Sequence, residues 1–198
     1  MDNLINSYIE EHLRQSCDVK KKLLEDTKIK AAIQEIAEKC VAVYRRGNKT
    51  LIAGNGGSAS DSQHMAAELS GRFNFDRPGL PSIALTTNTS TLTAIGNDYG
   101  YDRVFSRQVQ ADGVAGDMFL GLSTSGNSLN ILKAVEECQK KEITTVGLTG
   151  ASGYKLAEVC DHCIMVPSTS TPRIQEAHIL IIHLICAVVE ESLFGGGS

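Results

Sequence analysis

Three side chains of this sequence have the right types to move a proton: His64, Glu68 and His183. His64 and Glu68 stand four residues apart, so in a helix they share one face and can act on the same molecule. His183 interrupts an apolar run over residues 179–189, where a polar group needs a partner. A carboxylate and an imidazole are the usual general acid–base pair, because the pKa of either can be tuned toward neutrality. A lone histidine in such a run is more often a satisfied core residue, so spacing alone leaves the role of His183 open.

A glycine-rich segment before His64 has the features of an anion site. Gly54-Asn-Gly-Gly-Ser-Ala59 follows an apolar run and opens a predicted helix. Glycines let backbone N–H groups approach a ligand closely, and a helix start attracts negative charge. Ser58 is a natural N-cap, with Asp61 in the capping position three residues later. The segment also meets the loose pattern G-x-G-x-x-A, but no acidic residue for a ribose stands at 86–90, so we expect no nucleotide cofactor.

A second polar loop, rich in hydroxyl groups, follows another apolar run. Hydroxyl and backbone donors at a helix start can hold a phosphate without a lysine or arginine. The plainer alternative is a turn that caps a helix, for which one hydroxyl is enough. The number of hydroxyls favours a phosphate site, and they belong to Ser123, Thr124, Ser125 and Ser128.

Apolar runs and helical patterns alternate along the chain after residue 48. Short apolar runs bounded by Gly, Asn, Ser or Pro predict strands at 50–53, 82–86, 117–122, 143–148 and 163–166. Helices are predicted at 58–71, 89–95, 102–110, 128–140, 153–159 and 173–194. This alternation predicts an α/β fold: a doubly wound, Rossmann-like, five-stranded parallel sheet flanked by helices. Both polar loops then lie at the carboxyl ends of strands, where such sheets bind ligands.

The chain is long enough for one domain, which we divide into three parts. Residues 1–48 form a helical N-terminal region, 49–194 the α/β core and 195–198 a flexible tail. Leu4, Ile5, Tyr8, Ile9 and Leu13 recur at helical spacing in the first part. That apolar face either packs on the domain itself or joins copies of the chain. We favour the second interpretation, because the last helix is also apolar around nearly its whole circumference.

Composition and charge exclude several classes of partner. The 198 residues include 19 basic and 23 acidic side chains, for a net charge of −4, and no Trp. Such a chain has neither a general attraction for nucleic acid or anionic membranes nor a base-stacking platform. The N-terminus lacks the pattern of a signal peptide, and the eleven-residue apolar run at 179–189 is shorter than a membrane span. We therefore expect a cytoplasmic protein with no membrane partner.

Four segments together resemble the sugar-isomerase (SIS) superfamily, and within it the phosphoheptose isomerases. They are Ala53-Gly-Asn-Gly-Gly-Ser-Ala-Ser-Asp-Ser-Gln-His-Met-Ala-Ala-Glu68, Leu122-Ser-Thr-Ser-Gly-Asn-Ser128, Ile95-Gly-Asn-Asp-Tyr-Gly100 and Thr171-Pro-Arg-Ile-Gln-Glu-Ala-His178. The resemblance covers essentially the whole chain. It implies an SIS-type fold, a homotetramer with active sites at subunit contacts, and conversion of sedoheptulose 7-phosphate to D-glycero-D-manno-heptose 7-phosphate through an enediolate. In bacteria this reaction begins the synthesis of heptose precursors for lipopolysaccharide or capsule.

The resemblance also implies a role for each matching residue. Glu68 would be the base that moves a proton between C1 and C2, and His183 the acid–base group that serves the two oxygens. The predicted sugar contacts are Asn55, Gly56, Gly57, Ser58, Glu68, Asn97, Asp98 and Gln175; the predicted phosphate contacts are Ser123, Thr124, Ser125 and Ser128. Two residues keep two alternatives each. Asp61 either supports the site or caps its helix, and Arg72 either supports the site or is a surface charge.

Some members of the superfamily carry one zinc ion per subunit, and its ligands correspond here to His64, Glu68, Gln175 and His183. Gln175 and His183 are eight residues apart, roughly 12 Å along a straight helix. Either Gln175 precedes the regular helix, or the site draws on neighbouring chains.

Two other functions belong to relatives of this kind. Some are non-enzymatic adaptors that bind the replication initiator DnaA, but these lack the counterparts of Glu68 and His183, which this chain retains. Others isomerise or sense different sugar phosphates, usually as tandem or fused modules, whereas this chain has one copy of the motifs.

Overall fold

The computed structural model describes residues 2–197 and has one five-stranded sheet, all of whose strands are parallel. The strands are β1 (Thr50–Gly54), β2 (Ser82–Ala84), β3 (Met118–Leu122), β4 (Thr144–Gly150) and β5 (His162–Val166). Their order is β2-β1-β3-β4-β5, with Ile52 paired to Leu120 in the centre. The predicted five-stranded parallel sheet is confirmed, and its order, which the sequence did not reveal, reverses direction between β1 and β3.

Eight α-helices in the described chain surround the sheet. They are α1 (Asp2–Glu25), α2 (Thr27–Arg45), α3 (Gly57–Ser70), α4 (Thr89–Tyr99), α5 (Ser106–Asp112), α6 (Leu129–Lys140), α7 (Tyr154–Val159) and α8 (Thr171–Phe194). Short 3-10 turns lie at Tyr101–Arg103 and Gly195–Gly197. The first two helices occupy the segment predicted to be helical. The flexibility of the tail stays a prediction, and its last residue, Ser198, lies outside the described residues, as does Met1.

Each face of the sheet is covered by its own apolar core. On one face Ile52 and Leu120 pack with buried residues of α1, α2, α3 and α8. On the other, Leu51 and Phe119 pack with α5, α6 and α7. Neighbouring strand residues therefore point into different cores, which is why these strands read as continuous apolar runs. This is the doubly wound α/β arrangement that the sequence predicted.

The last helix is longer than the apolar run that suggested it. It spans 24 residues, and an 18-residue window of it has a mean hydropathy of 1.8, enough by length and composition to cross a membrane. Nine of its side chains are buried, among them His178 and Glu190. A helix in the core of a folded protein has the same composition, so this pattern is weak evidence of a membrane span.

Several predicted boundaries move, and one predicted cap is wrong. The residue at the N-cap of α3 is Gly56, with no side-chain hydrogen bond, and Ser58 lies inside the helix with 3% of its surface exposed. Gly56 has a φ of +57°, a conformation that favours glycine, so the chain turns there rather than at Ser58. Likewise α4 continues through Tyr99, which places Asn97 and Asp98 on a helix rather than in a loop.

The strand order explains where a ligand would lie. In an open parallel sheet the loops diverge at the point where the order reverses, and ligands bind there outside the carboxyl ends of the strands. That point lies between β1 and β3. The glycine-rich segment 54–59 (the glycine loop) follows β1 and the hydroxyl-rich segment 123–128 (the serine loop) follows β3, so both flank the crevice.

Candidate active site

The structure brings three side chains together in what is called the His64 cluster below: His64, Glu68 and His183. The Nε2 atom of His64 lies 3.0 Å from Oε1 of Glu68 and 3.1 Å from Nε2 of His183. One ligand atom from each of the three residues lies within 4.8 Å of the others. The cluster is open to solvent on one side, since the side chain of His64 is 45% exposed and that of Glu68 25%. A carboxylate and two imidazoles thus meet where a substrate can reach them.

Two helices that run side by side in the same direction present this cluster. Near their starts, Gly57 of α3 lies against Gln175 of α8: a Cβ on Gly57 would stand 2.6 Å from Nε2 of Gln175. Two turns further along, His64 of α3 meets His183 of α8. A side chain at position 57 would therefore displace the amide of Gln175 from its present position.

The predicted zinc ligands are only partly assembled within one chain. His64, Glu68 and His183 converge, and two imidazole nitrogens with one carboxylate form a donor set that suits zinc. Gln175 lies inside α8 rather than before it, so the first of the two explanations for its spacing is wrong. Its amide rests on Gly57, about two helical turns from His183.

The serine loop is held in a compact turn at the start of α6. The hydroxyls of Ser123 and Ser128 are 2.8 Å apart, and the hydroxyl of Ser128 makes no cap hydrogen bond to its helix. The hydroxyl of Ser125 accepts the N–H of Asn127 at 3.2 Å, and the carbonyl of Thr124 accepts the N–H of Gly150. Ser123 is buried, Thr124 and Ser128 are half-buried, and Ser125 is exposed.

A pair of amides joins the two loops. Asn55 donates to Asn130 at 3.0 Å and accepts from it at 2.9 Å, and the hydroxyl of Tyr101 donates to Asn55 at 3.3 Å. Asn130 is buried near the start of α6, directly after the serine loop. The side chain of Asn55, a predicted sugar contact, therefore also fixes the spacing of the two loops.

Other predicted site residues lie apart from the cluster. Asn97 and Asp98 are exposed on α4, where the amide of Asn97 donates to Asp98 at 2.8 Å. Arg72 is exposed just after α3. Among the described residues, no hydrogen bond or ion pair joins these three to the His64 cluster.

Asp61 lies one turn before His64 and does not cap its helix. Burial raises the pKa of Asp61 to about 6, while the neighbouring His64 acts in the opposite direction. Its Oδ2 atom is buried without a hydrogen-bond partner in the described structure. Asp61 therefore belongs with the surroundings of the cluster, which favours the first of its two predicted roles.

Comparisons with known proteins show the family and the fold. The family profile described as SIS domain matches residues 13–150. A phosphoheptose isomerase from Aneurinibacillus thermoaerophilus is 60% identical over 96% of both chains, and phosphoheptose isomerase 2 from Campylobacter jejuni is 62% identical over 100% of this chain and 98% of its own. The chain belongs to the phosphoheptose isomerase family. The solved structure of a phosphoheptose isomerase from Neisseria gonorrhoeae superimposes with a TM-score of 0.87 and 41% identity, over 93% of this chain and 99% of that one.

In this member of the phosphoheptose isomerase family, sequence reasoning missed two residues next to the His64 cluster. Arg77 and Glu190 form a buried ion pair at 3.1 Å between the segment after α3 and the end of α8. The available signal was Glu190 itself, a carboxylate that directly follows the apolar run at 179–189 and needs a partner where that side of the helix is buried. The partner could not be found from the sequence, because it is 113 residues away.

Proposed function

We propose that this protein isomerises sedoheptulose 7-phosphate to D-glycero-D-manno-heptose 7-phosphate, an aldose–ketose exchange that passes through an enediolate. The observation that carries the proposal is the convergence of Glu68, His64 and His183 in a chain whose relatives are phosphoheptose isomerases. The product would supply bacterial heptose synthesis for lipopolysaccharide or capsule.

Glu68 is the base of this reaction. Its carboxylate removes a proton from C1 of the ketose and returns it to C2, while the C1–C2 double bond of the enediolate forms and is lost again. His183 delivers a proton to the oxygen on C2 and accepts the proton from the oxygen on C1. The 3.0 Å contact with His64 supports this role, since it fixes the direction of the carboxylate.

The two loops at the carboxyl edge of the sheet hold the substrate. Ser123, Thr124, Ser125 and Ser128, with the start of α6, bind the phosphate; the pairing of Ser123 and Ser128 supports this, because it leaves the Ser128 hydroxyl unused by its own helix. The remaining predicted contacts bind the sugar: Asn55, Gly56, Gly57, Ser58, Asn97, Asp98 and Gln175.

One zinc ion per subunit is part of the proposal. His64, Glu68 and His183 would hold it, and bound zinc would stabilise or modulate the enzyme, since the proton transfers assigned to Glu68 and His183 do not require a metal. Gln175 serves as a fourth ligand only where a second chain or a rearranged side chain brings its amide to the cluster. No nucleotide cofactor takes part.

The working form is a homotetramer in the cytoplasm, without nucleic acid or membrane as a partner. The apolar face of α1 supports the assembly, because Leu4, Tyr8 and Leu13 are each more than 60% exposed in the single chain. Leu184 and Val188 of α8 are exposed as well.

Replacement Glu68→Gln tests the proposed reaction. The amide keeps the size of the side chain but cannot take a proton, so we expect turnover of sedoheptulose 7-phosphate to fall at least a hundredfold, about the lower end of a general base's contribution. Formation of the aldose heptose 7-phosphate is followed, with thermal unfolding as the check on folding. Glu158→Gln, an exposed position on α7, is the matched control and keeps full activity. Turnover by Glu68→Gln at the wild-type rate would remove Glu68 from the mechanism.

Absence of turnover by the wild type, with tight binding of an initiator protein, would favour an adaptor instead.

A further inference from the structure

A buried ion pair lies directly behind the His64 cluster. The Nε atom of Arg77 donates to Oε1 of Glu190 at 3.1 Å, and the two side chains are 2% and 1% exposed. Burying two charges is costly unless each is fully hydrogen-bonded. The partners that satisfy these two therefore indicate what the pair holds in place.

The carboxylate of Glu190 binds the loop that follows α3. It accepts the N–H of Phe73 at 2.8 Å and the N–H of Asn74 at 2.6 Å, besides the guanidinium of Arg77. Burial by itself would raise the pKa of Glu190, but these donors together hold it below its usual range. The charged form of Glu190 is thus the form that this loop requires.

The guanidinium of Arg77 binds the end of α3. It donates to the carbonyl of Glu68 at 2.8 Å and to that of Leu69 at 2.6 Å. The last carbonyls of a helix have no partner within the helix, so Arg77 completes the turn to which the proposed base belongs.

The same pair also acts on His183, through Phe73. Glu190 stands seven residues after His183, which places both on one side of α8. Phe73, whose N–H Glu190 holds, has its ring centroid 5.8 Å from that of His183. The ring of Phe73 therefore limits the positions that the imidazole can take.

We propose that the Arg77–Glu190 pair positions the acid–base groups, fixing Glu68 through its backbone and His183 through the ring of Phe73. The inference rests on the proposed function, since it assumes that Glu68 and His183 perform the chemistry. Arg77, Glu190 and Phe73 are positioning residues. Arg77 contacts the backbone of Glu68 and Phe73 lies against the ring of His183, while Glu190 binds both Arg77 and the N–H of Phe73.

A second ion pair with a buried carboxylate provides a matched control for stability alone. Asp117 is fully buried, pairs with Lys49 at 2.7 Å and accepts the N–H groups of Lys49 and Val114. It thus has the same chemistry as Glu190. It lies at the amino end of β3, at the opposite edge of the sheet from the candidate site.

The test compares Glu190→Gln, Phe73→Leu and Asp117→Asn by steady-state kinetics and thermal unfolding. Glu190→Gln and Phe73→Leu are expected to lower kcat tenfold or more with KM changed less than threefold, because substrate contacts remain while the reacting groups lose their alignment. Asp117→Asn is expected to lower the melting temperature with kcat unchanged.

Each result decides the proposal. A folded Glu190→Gln or Phe73→Leu with wild-type kcat overturns the positioning role, as does a loss of kcat in Asp117→Asn equal to that in Glu190→Gln. If Glu190→Gln does not fold, Phe73→Leu decides in the same way, since Phe73 is only half-buried. Glu68→Gln is measured alongside: its inactivity with an active Glu190→Gln defeats the positioning role and leaves the proposed function standing.

Discussion

His64 is the residue on which the whole candidate site depends, because one of its nitrogen atoms contacts both other members. Nε2 of His64 faces Glu68 Oε1 and His183 Nε2 at about hydrogen-bond distance. That nitrogen carries either one hydrogen or one lone pair. If Nε2 of His64 carries the hydrogen, it can donate to the carboxylate of Glu68, and Nε2 of His183 must then face the same hydrogen with its lone pair. If Nε2 of His64 carries the lone pair, it can accept a hydrogen bond from Nε2 of His183, but its lone pair then faces those of the Glu68 carboxylate. A cation among the three donors removes this conflict.

Zinc is therefore expected to stabilise the folded protein through His64. After removal of metal with a chelator, addition of zinc to a hundred times its dissociation constant should stabilise the wild type by about 2.7 kcal/mol. For a chain of this length that raises the melting temperature by roughly 5–10 °C. His64→Gln should show no such rise, because one of three converging donors is lost. His162→Gln, at a histidine outside the cluster, is the control and should respond like the wild type.

The same measurement on Gln175→Leu decides whether Gln175 is a ligand. An unchanged zinc response would exclude it from the metal site and leave it as a sugar contact. An equal zinc response in wild type and His64→Gln would remove zinc from this cluster altogether.

Among the elements, α8 connects the candidate site to the sheet. Its His178 is fully buried and lies 3.3 Å through Nε2 from the carbonyl of Thr149 in β4. The next residue of β4, Gly150, donates its N–H to Thr124 of the serine loop. Nδ1 of His178 has no hydrogen-bond partner in the described structure. Burial lowers the pKa of His178 to about 4, while the contact with Thr149 acts in the opposite direction.

The burial of His178 predicts a loss of stability in acid. Its folded pKa lies below the unfolded value of 6.5, so the unfolded chain binds the proton first and stability falls as pH drops from about 6.5 to 4. One pKa unit corresponds to about 1.4 kcal/mol, which sets the contribution at about 3 kcal/mol over this range. Denaturant unfolding of wild type and His178→Gln at the two ends of this pH range measures the contribution. The free energy of unfolding of the variant should fall by about 3 kcal/mol less than that of the wild type. Other groups, including Asp61 with its raised pKa, contribute equally to both proteins.

His12→Gln, on the partly exposed α1, is the control for replacing a histidine and should keep the wild-type dependence on pH. If His178→Gln loses as much stability between the two pH values as the wild type does, the imidazole is not the group responsible.

The elements also show what the sequence can and cannot predict. Strands such as β1 were predictable because residues buried on both faces form continuous apolar runs. The spacing of His64 and Glu68 placed them on one face, since that relation is local. The order of the strands and the Arg77–Glu190 pair were not predictable, because both depend on contacts between distant segments. The N-cap of α3 was assigned to Ser58 by residue type, whereas the turn is set by the positive φ of Gly56.

As a whole, the single chain leaves both its site and its surface incomplete. Gln175 is about two helical turns from His183, and in the described structure no hydrogen bond or ion pair joins Asn97 or Asp98 to the His64 cluster. On the outside, Ile5 and Ile9 of α1 are 54% and 51% exposed, at successive turns of one helix face. A second copy of the chain against this face would cover the apolar residues and could supply the missing site contacts. Assembly and activity should therefore be lost together.

The double replacement Ile5→Glu and Ile9→Glu is expected to dissociate the proposed homotetramer. Two carboxylates on the apolar face of α1 would have to be buried without partners. The free energy of burying these charges exceeds what apolar burial between the chains contributes. Light scattering should give the tetramer mass for the wild type and a smaller mass for the variant, with turnover reduced at least tenfold. Lys22→Glu and Lys28→Glu, which add two carboxylates at exposed polar positions of α1 and α2, form the control and should remain tetrameric and active. A variant that keeps the tetramer would show that this face is not the interface. One that dissociates and stays fully active would show that each chain holds a complete site.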